Sequence, residues 1–169
     1  MRKQWSQVSG FAVIPSEEER PLGYLNGVFM HPETGQLIGF LVGYSRILVP
    51  MEIEKWHSDH IKVKGTDSLI PTDEVLRIRN FGLRRTFLNG KRVQSKNGKR
   101  LGRVRDFCFE TTTSSLLTFE VSKKILWIEW GKRLFSYKDI EEVTEKTIVI
   151  SAELEEKKAI VEVQVPLTT

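Results

Sequence analysis

Apolar and polar residues follow the same order in two separate stretches of the chain. The first covers residues 22–42, LGYLNGVFMHPETGQLIGFLV, and the second covers residues 101–121, LGRVRDFCFETTTSSLLTFEV. A constant shift of 79 positions pairs Leu22 with Leu101, Gly23 with Gly102, Leu25 with Val104, Val28 with Phe107, Met30 with Phe109, Leu37 with Leu116, Ile38 with Leu117, Phe40 with Phe119 and Val42 with Val121. This repeat predicts two similar modules, each of small-domain size.

Both stretches change their apolar phase midway, which predicts a bulged strand in each module. The change falls between Leu25 and Val28 in the first stretch and between Val104 and Phe107 in the second. An odd spacing within a strand indicates an extra residue, and two strongly curved strands are what a small barrel needs. We therefore predict an all-β fold of two tandem small β-barrels with short helical turns and a short connector.

Turn residues divide these strands into hairpins. Residues 96–99, KNGK, contain the Asn-Gly pair that suits a tight hairpin, and the polar residues 16–21 occupy the matching place in the first module. Residues 31–35, HPETG, combine a proline-set φ with a glycine for a left-handed position. The second module has residues 110–114, ETTTS, at this turn. Loss of the glycine leaves a different geometry open there.

The ends of the two modules align with a larger shift of 87 positions. Ile53 and Trp56 correspond to Ile140 and Val143. Because each pair is three residues apart, each closing segment is expected to make one helical turn with an apolar edge. A last strand follows at residues 61–63 and at residues 148–150.

The alignments also predict the domain boundaries. Module 1 spans residues 5–70 and module 2 spans residues 85–155. The connector, residues 71–84, contains Thr72 as a candidate N-cap of a short amphipathic segment, and no Gly/Ser-rich linker intervenes, so the modules are expected to keep a fixed angle. Residues 156–169 form an acidic tail, which either adds a strand at residues 159–165 or packs between the modules.

The increase in shift places eight extra residues in module 2, within residues 122–133, SKKILWIEWGKR. Strand alternation puts Ile125 and Trp127 on one face and Leu126, Ile128 and Trp130 on the other. One interpretation is a lengthened strand pair whose tryptophans cap the barrel. The other is an exposed docking edge that presents Trp127 and Trp130 to a partner.

Basic residues are concentrated in module 2. Residues 1–80 contain 9 Lys/Arg and 10 Asp/Glu, whereas residues 81–169 contain 17 and 12. Nine cations and no acidic residue lie between Arg84 and Arg105. Such a run attracts phosphates, and its candidate partner- or RNA-binding residues are Arg84, Arg85, Lys96, Lys99, Arg100, Arg103 and Arg105. Apart from Phe87, stacking aromatic residues are missing between them. The other interpretation is solvated cations that neutralise the acidic tail or the first module.

The overall composition is that of an ordinary globular protein, with 40% hydrophobic and 28% charged residues in 169. Cys108 is the only cysteine, so it has no disulfide partner within the chain, and no charged-then-apolar leader opens the sequence. A reducing, cytoplasmic location is therefore expected. The apolar runs are far shorter than the roughly 20 residues of a spanning helix, so we expect no transmembrane segment. Attachment to a membrane through a partner stays open.

No residue pattern predicts catalysis. His57 and His60, in the segment HSDH, resemble half a metal site, but a polar turn is the favoured interpretation because no further ligands are placed near them. The motifs GxSxG, Walker A, GxGxxG and HExxH do not occur. Cys108 lies between two phenylalanines in an apolar strand, a setting typical of an inert thiol. We expect no enzymatic activity, no catalytic residue, no metal site and no cofactor.

Both stretches resemble the PRC-barrel family, which is named for the cytoplasmic part of the photosynthetic reaction-centre H subunit and also occurs at the C-terminus of RimM-type ribosome maturation factors. The resemblance covers most of the chain. It rests on a Gly-x-x-Val opening (Gly10 to Val13, Gly90 to Val93), the Leu-Gly pairs Leu22/Gly23 and Leu101/Gly102, Asp106 in the second copy where the first has Gly27, and the closing Ile61 to Val63. The resemblance implies an assembly and docking module without common catalytic residues, and its matched residues are implied to determine the fold.

Two functions follow as hypotheses. The first is a non-enzymatic scaffold or adaptor that mediates assembly with a protein partner of unknown identity. The second is an RNA- or ribosome-associated factor, or one that binds an anionic surface, acting through the residues from Arg84 to Arg105. RimM-type factors carry a distinct N-terminal domain before the barrel, where this chain has a second copy, and this difference counts against the second hypothesis.

Overall fold

The structure is a computed structural model that describes residues 1–151. The predicted tail and its extra strand lie outside the described residues. The fold is mainly β, as predicted, with only short helices. Its strands form two seven-stranded sheets.

The first sheet is built from residues before position 72. Its strands are β2 (Ala12–Pro15), β3 (Gly23–Met30), β4 (Leu37–Val42), β5 (Arg46–Leu48), β6 (Ile53–Trp56), β7 (His60–Val63) and β8 (Leu69–Pro71). They lie in the order β6-β7-β2-β3-β4-β5-β8. Strand β2 runs parallel to β7, and the other neighbours are antiparallel.

The second sheet repeats this arrangement in six strands, with β1 added and no counterpart of β8. Its strands are β1 (Arg2–Gln4), β9 (Arg92–Ser95), β10 (Arg100–Glu110), β11 (Ser115–Ile125), β12 (Ile128–Ser136), β13 (Ile140–Val143) and β14 (Thr147–Ile150). The order is β12-β11-β10-β9-β14-β13, with β1 paired to β10. Strands β9 and β14 are parallel, as β2 and β7 are in the first sheet.

The strand registers follow the same shift of 79 as the sequence. Equivalent pairs are Leu25–Val42 and Val104–Val121, Val28–Phe40 and Phe107–Phe119, and Met30–Leu37 and Phe109–Leu116. The predicted bulges are confirmed, because the register is broken between Leu25 and Gly27 and again between Val104 and Asp106. Identical pairing means that the repeated apolar residues occupy equivalent places in the two sheets.

The turns that join these long strands also share their geometry. Gly35 has φ +70° and Ser114, 79 positions later, has φ +49°. The second module therefore keeps a left-handed residue at this position without a glycine.

The closing segments were predicted only in part. One helical turn does occur in each half, as the 3-10 turns Pro50–Glu52 and Tyr137–Asp139. The residues assigned to it by spacing form strands β6 and β13 instead. Each strand contains a register break, which produces the three-residue apolar spacing without a helix.

The connector contains two helices, α2 (Leu76–Phe81) and α3 (Leu83–Thr86), after 3-10 turns at Thr66–Ser68 and Thr72–Glu74. Thr72 begins a 3-10 turn and does not cap α2, which starts after Val75, so that prediction was wrong. The amphipathic character is confirmed, since Ile78 is buried in a small cluster with Phe29, Ile38 and Ile47.

The N-terminal segment packs on the second sheet, away from the half to which it belongs in sequence. Strand β1 pairs with residues 108–110 of β10, and helix α1 (Trp5–Val8) follows directly. Trp5 stacks on Phe107 with ring centroids 5.5 Å apart. Asp106 accepts hydrogen bonds from the Ser6 amide and the Gln4 side chain, both at 2.9 Å.

Residues 83–89, which run from the end of the connector into module 2, make the reciprocal contact with the first sheet. Phe87 packs against Phe29 at 5.3 Å, the Leu88 amide donates to the Val28 carbonyl at 3.0 Å, and the Val28 amide donates to Asn89 Oδ1 at 2.8 Å. A Cβ on residue 27 would lie 2.5 Å from the Phe87 ring. Glycine is therefore required at position 27, where the second copy has Asp106. The two positions contact different leading segments, which are the stretches that precede the repeated strands of each half: residues 2–8 contact Asp106, and residues 83–89 contact Gly27.

These exchanges join the two halves through one hydrophobic core. Phe109 of the second sheet lies 5.5 Å from Phe40 and 5.9 Å from Trp56 of the first, and the main buried cluster contains residues of both sheets. Among residues 1–151, each sheet is an open path that ends at β6 and β8 or at β12 and β13. The predicted closure into barrels is not observed in either sheet.

The carboxylate of Asp106 is expected to stabilise the attachment of the N-terminal segment in a pH-dependent way. Partial burial raises the pKa of Asp106, but hydrogen bonds from Ser6, Gln4 and the Phe107 amide outweigh it and hold the pKa below its ordinary value. We expect Asp106→Ala to lower the free energy of unfolding at neutral pH by about 1 to 2 kcal/mol. Because the folded-state pKa is lowered, this contribution is present above the ordinary pKa of Asp and is lost as pH falls through the folded-state value.

Urea unfolding of the parent protein and the variant at neutral pH and at about pH 3 measures the effect. Asp73→Ala, which removes an exposed carboxylate from the connector, is the control. A difference that stays constant between the two pH values would contradict this role of Asp106.

Candidate docking surfaces

Some cations of the predicted basic stretch belong to the framework. Arg85 Nε donates to the Val143 carbonyl at 2.8 Å, and its guanidinium lies 5.6 Å from the centroid of the Phe81 ring. Lys96 forms an ion pair with Glu141 at 3.3 Å. Acidic partners therefore reach the basic stretch from β13, although none lies within it in sequence.

Four other cations of the stretch, Arg92, Arg100, Arg103 and Arg105, are exposed and lie along one side of the second sheet. A groove of about 520 Å³ runs between β9 and the base of the β11–β12 hairpin. Its cationic lining residues are Arg92, Arg100, Arg103, Arg105, Lys123 and Lys124. The structure thus brings three predicted site residues together with three that the sequence did not single out. Lys99 lies outside this lining, in the turn after β9.

A second concave surface, the inter-half cleft, lies where the connector meets both sheets. It has a volume of about 590 Å³. Leu41 and Phe87 are half-buried and contribute apolar surface, with the buried Phe29 behind them, and Tyr44 is fully exposed. Its charged lining residues are Arg84, Lys91, Arg92, Arg103, Glu145 and Lys146. Sequence reasoning missed this cleft because its walls come from strands and helices far apart in the chain.

Lys91 is buried at the base of this cleft and ties the connector to the turn after β13. Its Nζ donates to the carbonyls of Arg84 (2.6 Å), Arg85 (3.1 Å) and Thr144 (3.0 Å) and lies 3.4 Å from that of Glu145. Burial lowers the pKa of Lys91 to about 8, with the charge of Arg85 acting in the same direction and that of Glu145 opposing it. Lys91 is therefore a structural cation.

The eight extra residues form the outer part of the β11–β12 hairpin. Strand pairing continues to Ile125 and Ile128, and Leu126 and Trp127 make the turn. Trp127 is 80% exposed and Trp130 is 49% exposed. The interpretation in which these tryptophans cap a barrel was wrong, because the hairpin extends beyond the core that they would have covered.

The histidine segment forms the turn between β6 and β7. The His57 amide donates to the His60 carbonyl at 2.9 Å, the two rings stack at 4.2 Å, and His60 Nδ1 lies 2.8 Å from Asp59 Oδ1. Within residues 1–151, no group of three or more His, Cys, Asp or Glu side chains is arranged to hold a metal ion.

Cys108 is half-buried in β10. Burial raises the pKa of its thiol, and the charges of Asp106 and Glu110 add to this effect while Arg2 opposes it. A raised pKa keeps the sulfur protonated and weakens it as a nucleophile. Phe107 and Phe109 on either side are in the core, as the sequence predicted, and offer no stacking surface.

Comparison with protein families gives one match. Residues 83–157 match the family described as the PRC-barrel domain. The chain contains a PRC-barrel domain. Residues 1–82 have no family assignment of their own, and a comparison with curated proteins finds no match. In the described part of the chain, no helix has the length and apolar character needed to cross a bilayer.

The buried amine of Lys91 makes the stability of the PRC-barrel domain depend on pH in the alkaline range. Its pKa is about 8 in the folded protein, against an ordinary value of 10.5. Between these values the unfolded chain binds more protons than the folded one, so stability rises with pH. We expect the free energy of unfolding of the parent protein, relative to Lys91→Met, to increase from about pH 8 to about pH 10.

Chemical denaturation across this pH range gives the difference, and Lys55→Met, at an exposed position, corrects for the general effect of removing one cation. A flat difference would show that the carbonyl oxygens keep the amine protonated throughout.

Proposed function

We propose that this protein is a non-enzymatic adaptor made of two PRC-barrel-like halves, copied from one ancestral unit, that docks an acidic segment of a partner protein. The observation that carries the proposal is the inter-half cleft, which is lined by both apolar and cationic side chains. The copying of the unit and the closure of each half into a barrel are part of the proposal.

The registers and contacts of the two sheets support a duplication. Gln36 forms an antiparallel bridge with Ser115, the position 79 residues later and thus its own counterpart. Beside it, the Leu37 amide donates to the Ser114 carbonyl and the Leu116 amide donates to the Gly35 carbonyl, at 2.7 and 2.9 Å. Reciprocal contacts between equivalent residues are what two like units form around a two-fold axis.

The reciprocal packing also supports a scaffold role. Each leading segment lies on the opposite sheet, and the core is continuous between them, so the walls of the cleft are held at a fixed separation. A preformed site loses little conformational entropy when a ligand binds, which favours docking.

The charges of the cleft identify the kind of segment that fits. Five cations and one carboxylate line it, and Lys91 among the cations is used structurally. Leu41 and Phe87 supply its accessible apolar surface. A partner segment with carboxylates beside one apolar side chain would complement both features.

A labelled peptide that carries several Glu residues around one Phe tests this docking. We expect micromolar binding that weakens at high salt, and a loss of about tenfold or more when Arg84→Glu and Arg92→Glu are combined, because both cations then repel the peptide. Fluorescence anisotropy measures the affinity, and a peptide with Gln in place of Glu should bind weakly. Arg77→Glu with Arg79→Glu, on exposed positions of α2, changes the net charge equally and is expected to leave binding unchanged. Equal loss in both double variants would reject the cleft as the site.

The groove favours a second candidate function, the binding of RNA. Six cations from β9, β10 and β11 line it, and such clusters bind phosphates without reading sequence. For this function, a filter-binding titration with bulk RNA should show micromolar binding that falls steeply with salt and disappears when Arg100, Arg103 and Arg105 are changed to Ala. If the protein is an adaptor alone, no micromolar RNA binding is expected.

A further inference from the structure

The outer end of the β11–β12 hairpin is apolar on all sides. Ile125 and Ile128 form its last strand pair, and Leu126 and Trp127 form the two-residue turn. All four side chains are exposed by 59% or more. They form a convex apolar knob, here called the hairpin tip.

The fold does not need these residues at the turn. Leu126 has φ +56°, a left-handed conformation that costs a branched L-residue energy and that Gly or Asn adopts easily. The equivalent turn of the first half contains Gly43 at φ +63° and leads into a short strand, β5. A strained, exposed leucine beside an exposed tryptophan lowers stability and solubility, so a binding role explains the hairpin tip better than folding does.

Cations surround the hairpin just behind its tip. Lys124 lies opposite Glu129, and Lys123 lies opposite Trp130 with its amine 5.4 Å from the ring centroid. At a rise of about 3.3 Å per residue, these pairs are about 7 and 10 Å behind the turn. Residues 122–136 contain four cations, Lys123, Lys124, Lys132 and Arg133, and one acid, Glu129.

The carboxylates near these cations already have hydrogen-bond or ion-pair partners. Glu129 accepts a hydrogen bond from the Ser122 hydroxyl, and Glu120 forms an ion pair with Lys132 at 3.1 Å. Lys123 and Lys124 also line the basic groove. The positive surface is therefore continuous from the groove to the base of the hairpin tip.

This arrangement matches the layers of an anionic lipid surface. Apolar residues of interfacial segments enter a bilayer by about 5 to 10 Å, with Lys and Arg at the level of the headgroups. Tryptophan favours the same level, which is where Trp130 lies. A protein partner would need a deep pocket to accept a knob that is apolar on all sides, whereas a fluid bilayer needs none. The charges along β12, an edge strand, also disfavour pairing with a second copy.

We propose that the hairpin tip inserts directly into the surface of an anionic lipid bilayer, with Lys123 and Lys124 contacting headgroup phosphates. This membrane contact is separate from the inter-half cleft and does not depend on the docking function proposed for it.

Co-sedimentation of the full chain with lipid vesicles tests the proposal. We expect binding to vesicles of phosphatidylcholine that contain about a third phosphatidylserine, and binding at least about tenfold weaker to phosphatidylcholine alone. Raising the salt from about 0.1 to about 0.5 M should weaken the first interaction. Tryptophan emission should shift to shorter wavelength on binding, since Trp127 and Trp130 are the most exposed of the four tryptophans.

A double variant separates binding from folding. Leu126→Gly with Trp127→Asn places glycine at the left-handed first position of the turn, so the Tm should stay equal or rise while vesicle binding falls about tenfold or more. Leu76→Asn, at another exposed leucine, is expected to bind as the parent protein does. Lys123→Gln with Lys124→Gln should reduce the preference for anionic vesicles.

Three outcomes would overturn the proposal. The parent protein could fail to bind both kinds of vesicle, or the Leu126→Gly/Trp127→Asn variant could bind vesicles as well as the parent. Size-exclusion chromatography could also show a dimer that the double variant disperses, in which case the hairpin tip is covered by a second copy of the chain.

Discussion

The exchange of leading segments between the two halves is the constraint on which the structure depends. Strand β1 and helix α1 lie on the second sheet, and the segment from Leu83 to Asn89 lies on the first. Each sheet is open along its hydrogen-bonded path, so its apolar face needs material from elsewhere. Burial of an aromatic side chain such as Phe109 stabilises the folded state by about 2 to 3 kcal/mol. At the junction of the halves, residues of both sheets are needed to bury this side chain.

The same exchange explains why two closely matched sheets are not identical. Position 27 is glycine because the Phe87 ring occupies the space of a side chain. Its counterpart, Asp106, accepts a hydrogen bond from the backbone amide of Ser6 and so fixes the N-terminal segment on the second sheet. A repeat can keep its registers while the residues at its junctions diverge, because only the junctions contact different neighbours.

The surfaces proposed to bind partners lie where the repeat is broken. The inter-half cleft exists on the side of the connector, with walls from both sheets. The hairpin tip exists only in the second half, where β11 and β12 extend beyond the length of β4 and β5. The shared part of each half supplies the rigid framework, and the departures from it supply surfaces that can bind. A membrane contact at the hairpin tip and a docking cleft between the halves would together suit an adaptor at a bilayer surface.

The order of apolar residues by itself determined the mainly β fold, the bulges after Leu25 and Val104, and the equivalent registers of the long strands. These features depend on residues close in sequence and on pairing across single hairpins, where side-chain period and turn chemistry act locally. Spacing was misleading at Ile53 and Trp56, because a register break and a helical turn give the same three-residue interval. Only the tertiary structure decided which sheet each leading segment covers, whether Trp127 is buried, and which cations meet in one groove. Those outcomes depend on contacts between residues about a hundred positions apart, such as Gln4 with Asp106, and no local pattern specifies them.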